Sequence, residues 1–100
     1  MITHIVLWRL KETAHGNTKA ENARIFKERL EALNGKIEGL IHLEVGCDFS
    51  ASEMSADVAL YSTFPTRDDL TFYQKHPEHL AVAAFVREAM SERRVIDYEI

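Results

Sequence analysis

The stretch from Ile2 to Leu10 constrains this chain more than any other. It is β-rich and apolar on both parities: Ile2, His4, Val6, Trp8 and Leu10 fall on one side, and Thr3, Ile5, Leu7 and Arg9 on the other. Successive side chains of a strand point to opposite faces, so a strand with one wet face alternates apolar with polar. This one needs cover on both. The chain has 100 residues, which is the size of one domain, residues 1–100. A domain this small buries only roughly 60–70% of its unfolded surface. Its own core leaves little margin, and association with a second copy adds to it.

The rest of the chain reads as elements that pack against that strand. Lys11 to Thr18 is polar, with Gly16 and Asn17 marking a loop. A helix follows from Thr18 to Leu33. Thr18 and Glu21 have capping-box spacing, and Ala23, Phe26, Leu30, Leu33 and Ile37 form one apolar stripe that Asn34-Gly35 terminates. A second strand, Leu40 to Asp48, is uniformly apolar at Ile41, Leu43, Val45 and Cys47, so Cys47 reads as a small core residue. A third strand, Ala56 to Phe64, pairs with it as an antiparallel hairpin. Thr66 and Asp69 repeat the capping-box spacing ahead of a short helix, Arg67 to Gln74. His76-Pro77 breaks that helix, and Pro77 starts another running to Ser91. The last strand is Arg94 to Glu99.

The order β-α-β-β-α-β is the split βαβ arrangement, an α+β, ferredoxin-like fold. Right-handed crossovers place the helices on one face of a four-stranded antiparallel sheet. The opposite face is left bare and apolar, which marks an interface. The expected assembly is a homodimer through the sheet faces, a dimeric α+β barrel.

Charge and composition exclude several partners. The chain is 46% hydrophobic and 28% charged, with a net charge of −4. A nucleic-acid binder carries a basic face, and the densest basic run here is Arg93-Arg94, so no nucleic-acid partner is expected. No apolar run approaches the length of a membrane span, and Met1 to Leu10 lacks the features of a secretion signal. With a single cysteine, Cys47, no intrachain disulfide forms, and a reducing, cytoplasmic setting is expected.

Several segments together resemble the stress-responsive A/B barrel domain family. They are Thr3-His4-Ile5-Val6-Leu7-Trp8-Arg9-Leu10, Gly39-Leu40, Asp57 to Phe64, Tyr73, His76-Pro77-Glu78-His79-Leu80 and Val95-Ile96-Asp97-Tyr98. The resemblance covers nearly the whole chain and implies the same ferredoxin-like dimer. It implies little about reaction, because the fold hosts unrelated functions. A plant member of the family, olivetolic acid cyclase, is similar at three positions. The match implies catalytic roles for His4, Tyr73 and His79. A further aromatic hydroxyl of that enzyme has no counterpart, since Arg29 stands at its place.

These three residues also form the candidate site on chemical grounds. Histidine exchanges protons near neutral pH, and a tyrosine hydroxyl can donate to a developing enolate oxygen. Such a set suits proton abstraction beside a carbonyl. The bland alternative is that His79 hydrogen-bonds backbone and His4 is a satisfied core group. His76 reads as a structural turn residue, and His15 and His42 as surface or interface residues. Trp8, Phe26 and Phe85 are expected as ligand-pocket wall. His4, His76 and His79 lack the helical i, i+4 pair of a metal site, and no phosphate loop or Ser-His-Asp set appears. No metal and no cofactor are therefore expected. Three readings stay open: a homodimer binding a small apolar molecule; a cofactor-independent cyclase, lyase, isomerase or monooxygenase; and a purely structural or protective oligomer.

Overall fold

A computed structural model describes all residues, Met1–Ile100. The elements in chain order are β1 (Ile2–Leu10), β2 (Thr13–Ala14), β3 (Asn17–Thr18), α1 (Lys19–Glu31), β4 (His42–Cys47), β5 (Val58–Phe64), α2 (Arg67–Lys75), α3 (Pro77–Ala89) and β6 (Met90–Glu99). Four strands form one antiparallel sheet in the order β4-β5-β1-β6. The sheet is the ferredoxin-like arrangement, with the helices on one face.

Strand β1 is interior, with β5 on one side and β6 on the other. Val6 sits opposite Leu60 and Val95, and Trp8 opposite Val58 and Arg93. One parity of β1, from Ile2 through His4, Val6 and Trp8 to Leu10, is buried under the helices. It joins Phe26 and Leu30 of α1, Leu43 and Val45 of β4, Leu60 and Phe64 of β5, and Val86 and Ala89 of α3 in a single core cluster. The other sheet face has no helix on it. There Leu7, Tyr61, Ile96 and Tyr98 remain between 39% and 57% exposed. The two-sided apolar character of β1 is therefore matched on one side within the chain and left unmatched on the other.

The two edges of the sheet are treated differently. An edge strand presents unpaired N–H and C=O groups that invite pairing with other chains. On β4, side chains from α1 and the turn after it occupy them. Asn34 Oδ1 accepts from Leu43 N at 3.0 Å and its Nδ2 donates to Leu43 O at 2.8 Å; Glu31 Oε2 accepts from Val45 N at 3.0 Å, and Lys27 Nζ donates to Val45 O at 2.7 Å. Strand β6 has no such cover.

Local signals account for most boundaries. Thr18 caps α1 with both bonds of a capping box: Glu21 N donates to Thr18 Oγ1 at 3.2 Å, and Thr18 N to Glu21 Oε1 at 2.8 Å. Thr66 caps α2 through Asp69 N, but the reciprocal bond runs from its own hydroxyl to Asp69 Oδ2 at 2.7 Å. An aspartate is one carbon shorter than the glutamate of a full box, so the second expected capping box is half formed.

Other expectations are corrected. Lys11 to Thr18 is not all loop, because β2 and β3 pair across His15-Gly16, both at positive φ (54° and 73°). The first helix ends at Glu31 rather than Leu33, and the third at Ala89 rather than Ser91. Strand β6 starts at Met90, directly after α3, with no loop between them. Cys47 is exposed at the last position of β4, an edge strand, although its Sγ lies 3.8 Å from Ala23 O of α1. No helix is long and apolar enough to cross a membrane.

Candidate functional site

Between the sheet and the α2–α3 corner lies a cavity of about 440 Å³, lined by 14 residues of which nine are hydrophobic. The chain places its reactive side chains here by three separate local devices. His4 comes from the buried parity of β1. Tyr73 comes from the last turn of α2. His79 comes from the first turn of α3, aimed by the break at Pro77. All three line the cavity.

The break is the part that sequence chemistry explains best. Helix α2 ends because His76, ahead of proline, is extended (φ −65°, ψ 135°). The last carbonyls of a helix have no intrahelical partner. His76 N–H takes the Tyr73 carbonyl at 3.1 Å, and His79 Nδ1 donates to the Gln74 carbonyl at 3.2 Å. His76 itself caps α3, its Nδ1 accepting from Glu78 N at 3.1 Å, with its ring edge-on to Phe72. The turn role expected for His76 is what the geometry shows.

Hydrogen bonding also sets the histidine tautomers. A carbonyl only accepts, so Nδ1 of His79 carries the proton and Nε2 carries the lone pair. His4 Nδ1 likewise donates to the carboxylate of Asp97, its direct neighbour across the β1–β6 ladder. Ser62 Oγ donates to the His4 carbonyl at 3.0 Å. The His79 and Tyr73 rings lie 4.4 Å apart between centroids, and His4 and Tyr73 6.4 Å apart.

Burial fixes the protonation states. It pushes the Tyr73 phenol well above its ordinary range, against a smaller opposing pull from Arg93. Tyr73 is thus a hydrogen-bond donor and not a base. Burial also lowers the His79 pKa below 6.5; the Gln74 carbonyl opposes this, and the charges of His4, Arg93 and His76 add to it. His79 is therefore a neutral imidazole at pH 7, able to accept a proton. The arrangement offers one acceptor nitrogen beside one hydroxyl donor in a half-apolar space. That is a proton-transfer set.

The aromatic residues divide. Trp8 lines the cavity. Phe26 and Phe85 do not. Phe26 is fully buried behind Trp8, edge-on at 5.5 Å, and Phe85 packs on Phe26 at 6.1 Å. The outer side of Phe85 is covered by the His15 ring at 4.0 Å and the Arg29 guanidinium at 4.4 Å. Phe26 is core and Phe85 is half-buried against it; apolar spacing on a helix reports burial and cannot separate a cavity wall from the layer behind it. His42 lies exposed on the uncovered side of the sheet, 2.9 Å from Glu44.

Sequence reading missed three polar residues near the cavity. Asp97 orients His4, while Arg87 and Arg93 line the space. The signal was parity: Arg93, Val95 and Asp97 alternate with Ile96 and Tyr98, and the two sets face opposite ways. No three His, Cys, Asp or Glu side chains are grouped to hold a metal ion.

Fold and cavity together define a class: small ferredoxin-like α+β domains that hold a ligand-sized space between sheet and helices and leave the second sheet face open. The model of the Stress responsive A/B Barrel Domain matches residues 2–100, and the chain belongs to that family. No curated protein matches it. Among solved structures, a dimeric protein of unknown function from Bacteroides fragilis NCTC 9343 is 36% identical, with a TM-score of 0.83 over 99% of this chain and 95% of that one. A dimeric ferredoxin-like protein of unknown function from Thermobifida fusca YX is 23% identical, with a TM-score of 0.85 over 99% and 90%. The hydroxynitrile lyase of Passiflora edulis is 19% identical, with a TM-score of 0.81 over 99% and 92%. The last two share the fold.

Proposed function

We propose that this protein is a homodimer, paired sheet face to sheet face, that binds a small and largely apolar molecule in the cavity between sheet and helices. The observation that carries the reading is the cavity itself. Its volume, about 440 Å³, and its nine hydrophobic lining residues fit a small-molecule site. The dimer is supported by the apolar outer face and by the dimeric state of the relatives.

Trp8 is the chain's single tryptophan and lies in the cavity wall, so it reports occupancy. Titration with the neutral probe N-phenyl-1-naphthylamine is expected to quench Trp8 with micromolar affinity. Ala83→Phe, which fills the space, is expected to abolish the effect while the far-ultraviolet circular dichroism stays unchanged. Saturable binding that persists in Ala83→Phe would refute the assignment.

A second reading is favoured by the neutral His79 beside the protonated Tyr73. In it the site abstracts a proton next to a carbonyl without a cofactor: His79 Nε2 takes the proton, Tyr73 donates a hydrogen bond to the enolate oxygen, and Asp97-held His4 completes the pocket. Cyclase, lyase and isomerase chemistry all use this step, and a cofactor-independent monooxygenase can begin with it. The test is turnover of poly-β-ketone and enol-lactone substrates by wild type and His79→Ala. Equal rates in the two proteins would eliminate His79 as the base.

A further inference from the structure

We infer that the molecule held in this cavity bears a carboxylate and that Arg93 binds it, with Arg87 of α3 as a second cation. The inference rests on the cavity being a ligand site and names the class of its ligand: an amphipathic acid with an aromatic or aliphatic body. Four observations carry it.

First, the cavity lining contains two arginines and no aspartate or glutamate, in a chain with 16 acidic residues against 12 basic. Second, neither guanidinium has a carboxylate partner within 4.0 Å, a state they share with Arg24 and Arg29, so both are free to receive an anion, unlike Arg9, Arg67 and Arg94, which each have a glutamate. Asp97, the acidic residue on the same side of β6, is already engaged by His4. Third, Arg93 stands directly opposite Trp8 in the β1–β6 ladder, and the Trp8 indole Nε1 is the one buried side-chain polar atom without a hydrogen-bond partner. The Arg93 side chain therefore leaves the sheet on the face that carries Trp8, whose ring forms part of the cavity wall. Fourth, the charge of Arg93 reaches both Tyr73 and His79. An anion anchored on Arg93 is thereby held next to the proton-transfer pair.

The chemistry of guanidinium fits this role. Its planar fork meets a carboxylate with two parallel hydrogen bonds, and it is more weakly hydrated than an ammonium group, so it gives up water for a half-apolar site more readily. The rest of the wall, with Val6, Leu60, Val86 and Met90, accepts a hydrocarbon body. An acid with its head at Arg93 and its body along these residues satisfies both halves of the cavity.

The experiment compares 4-phenylbutanoate with 4-phenylbutanamide, which share a hydrocarbon body and nearly the same shape but carry an anionic and a neutral head group, using Trp8 fluorescence and calorimetry. Wild type is expected to bind the acid at least about tenfold more tightly than the amide. Rising salt should weaken only the acid. In Arg93→Gln the preference is expected to fall to within about twofold of unity, with the amide's affinity retained. A preference that survives Arg93→Gln combined with Arg87→Gln would overturn the inference. So would equal binding, or no binding of the acid, in wild type that still takes up N-phenyl-1-naphthylamine; in that case the cavity reading stands alone. Failure of all three compounds to bind overturns both.

Discussion

Substituting Ile96 by glutamate tests the face-to-face pairing at its most exposed apolar point. Ile96 lies on the uncovered sheet face opposite Ile5, near Leu7 and Tyr98, with 57% of its surface open. Fully burying an isoleucine contributes about 1.5–3 kcal/mol, so covering the open half contributes about 1 kcal/mol in each copy. An isologous interface contains every residue twice, and the loss doubles. Each glutamate adds the cost of taking a carboxylate out of water, several kcal/mol if it stays charged. Together these weaken the pairing by at least about 3 kcal/mol, more than a hundredfold in the dissociation constant. Sedimentation equilibrium at micromolar protein should show wild type as a dimer and Ile96→Glu as a monomer with a lowered thermal midpoint. If the variant associates as tightly as wild type, or wild type sediments as a folded monomer, the sheet face is not the interface.

Two further outcomes follow from the geometry. Gly39 has φ +88°, and a Cβ there would lie 2.6 Å from Asp69 Oδ1, whereas Gly35 at φ +80° has open space. Gly39→Ala is expected to cost about 2–3 kcal/mol against about 1 kcal/mol for Gly35→Ala, with thermal midpoints that differ by roughly 5–10 °C; equal midpoints would contradict the clash. The lowered pKa of His79 also links stability to pH. The unfolded chain takes up a proton below about pH 6.5 while the folded site resists it, so this contribution is present above 6.5 and is lost as pH falls. Denaturant titrations from pH 7 to pH 5 should show a shallower loss for His79→Gln than for wild type, and parallel curves would argue against the buried neutral imidazole.

Much of this architecture was legible because local chemistry and tertiary packing agree. The two-sided apolar pattern of β1, the Thr18–Glu21 box and the His76-Pro77 break each have one physical meaning, and the structure uses each that way. The failures share a cause as well. Strands β2 and β3 are only two residues long, so no period-two signal exists to be read. In the sequence the start of β6 reads as helix because Ala89-Met90 continues the α3 stripe, while Ser91 to Arg94 carry no apolar alternation on an edge strand without a helix over it. Cys47 has the parity of a core residue but ends an edge strand, where it stays exposed beside α1. The site was half legible: the histidines and the tyrosine announce themselves by type. Asp97 and Arg93 look like surface charges until the β1–β6 register sets them opposite His4 and Trp8.

Strand β6 is where the two proposals meet. One side of its backbone presents Arg93 and Asp97 toward the cavity; the other presents Ile96 and Tyr98 to the open face, and α3 runs into it without a joint. A guest that repositioned Arg93 would move the same ribbon that carries the proposed pairing face. Reciprocity requires that occupancy alter self-association by the factor by which self-association alters occupancy. Were the two coupled through β6, protein concentration would become a hidden variable, and titrations run on dilute and on concentrated samples would return different affinities for the same compound.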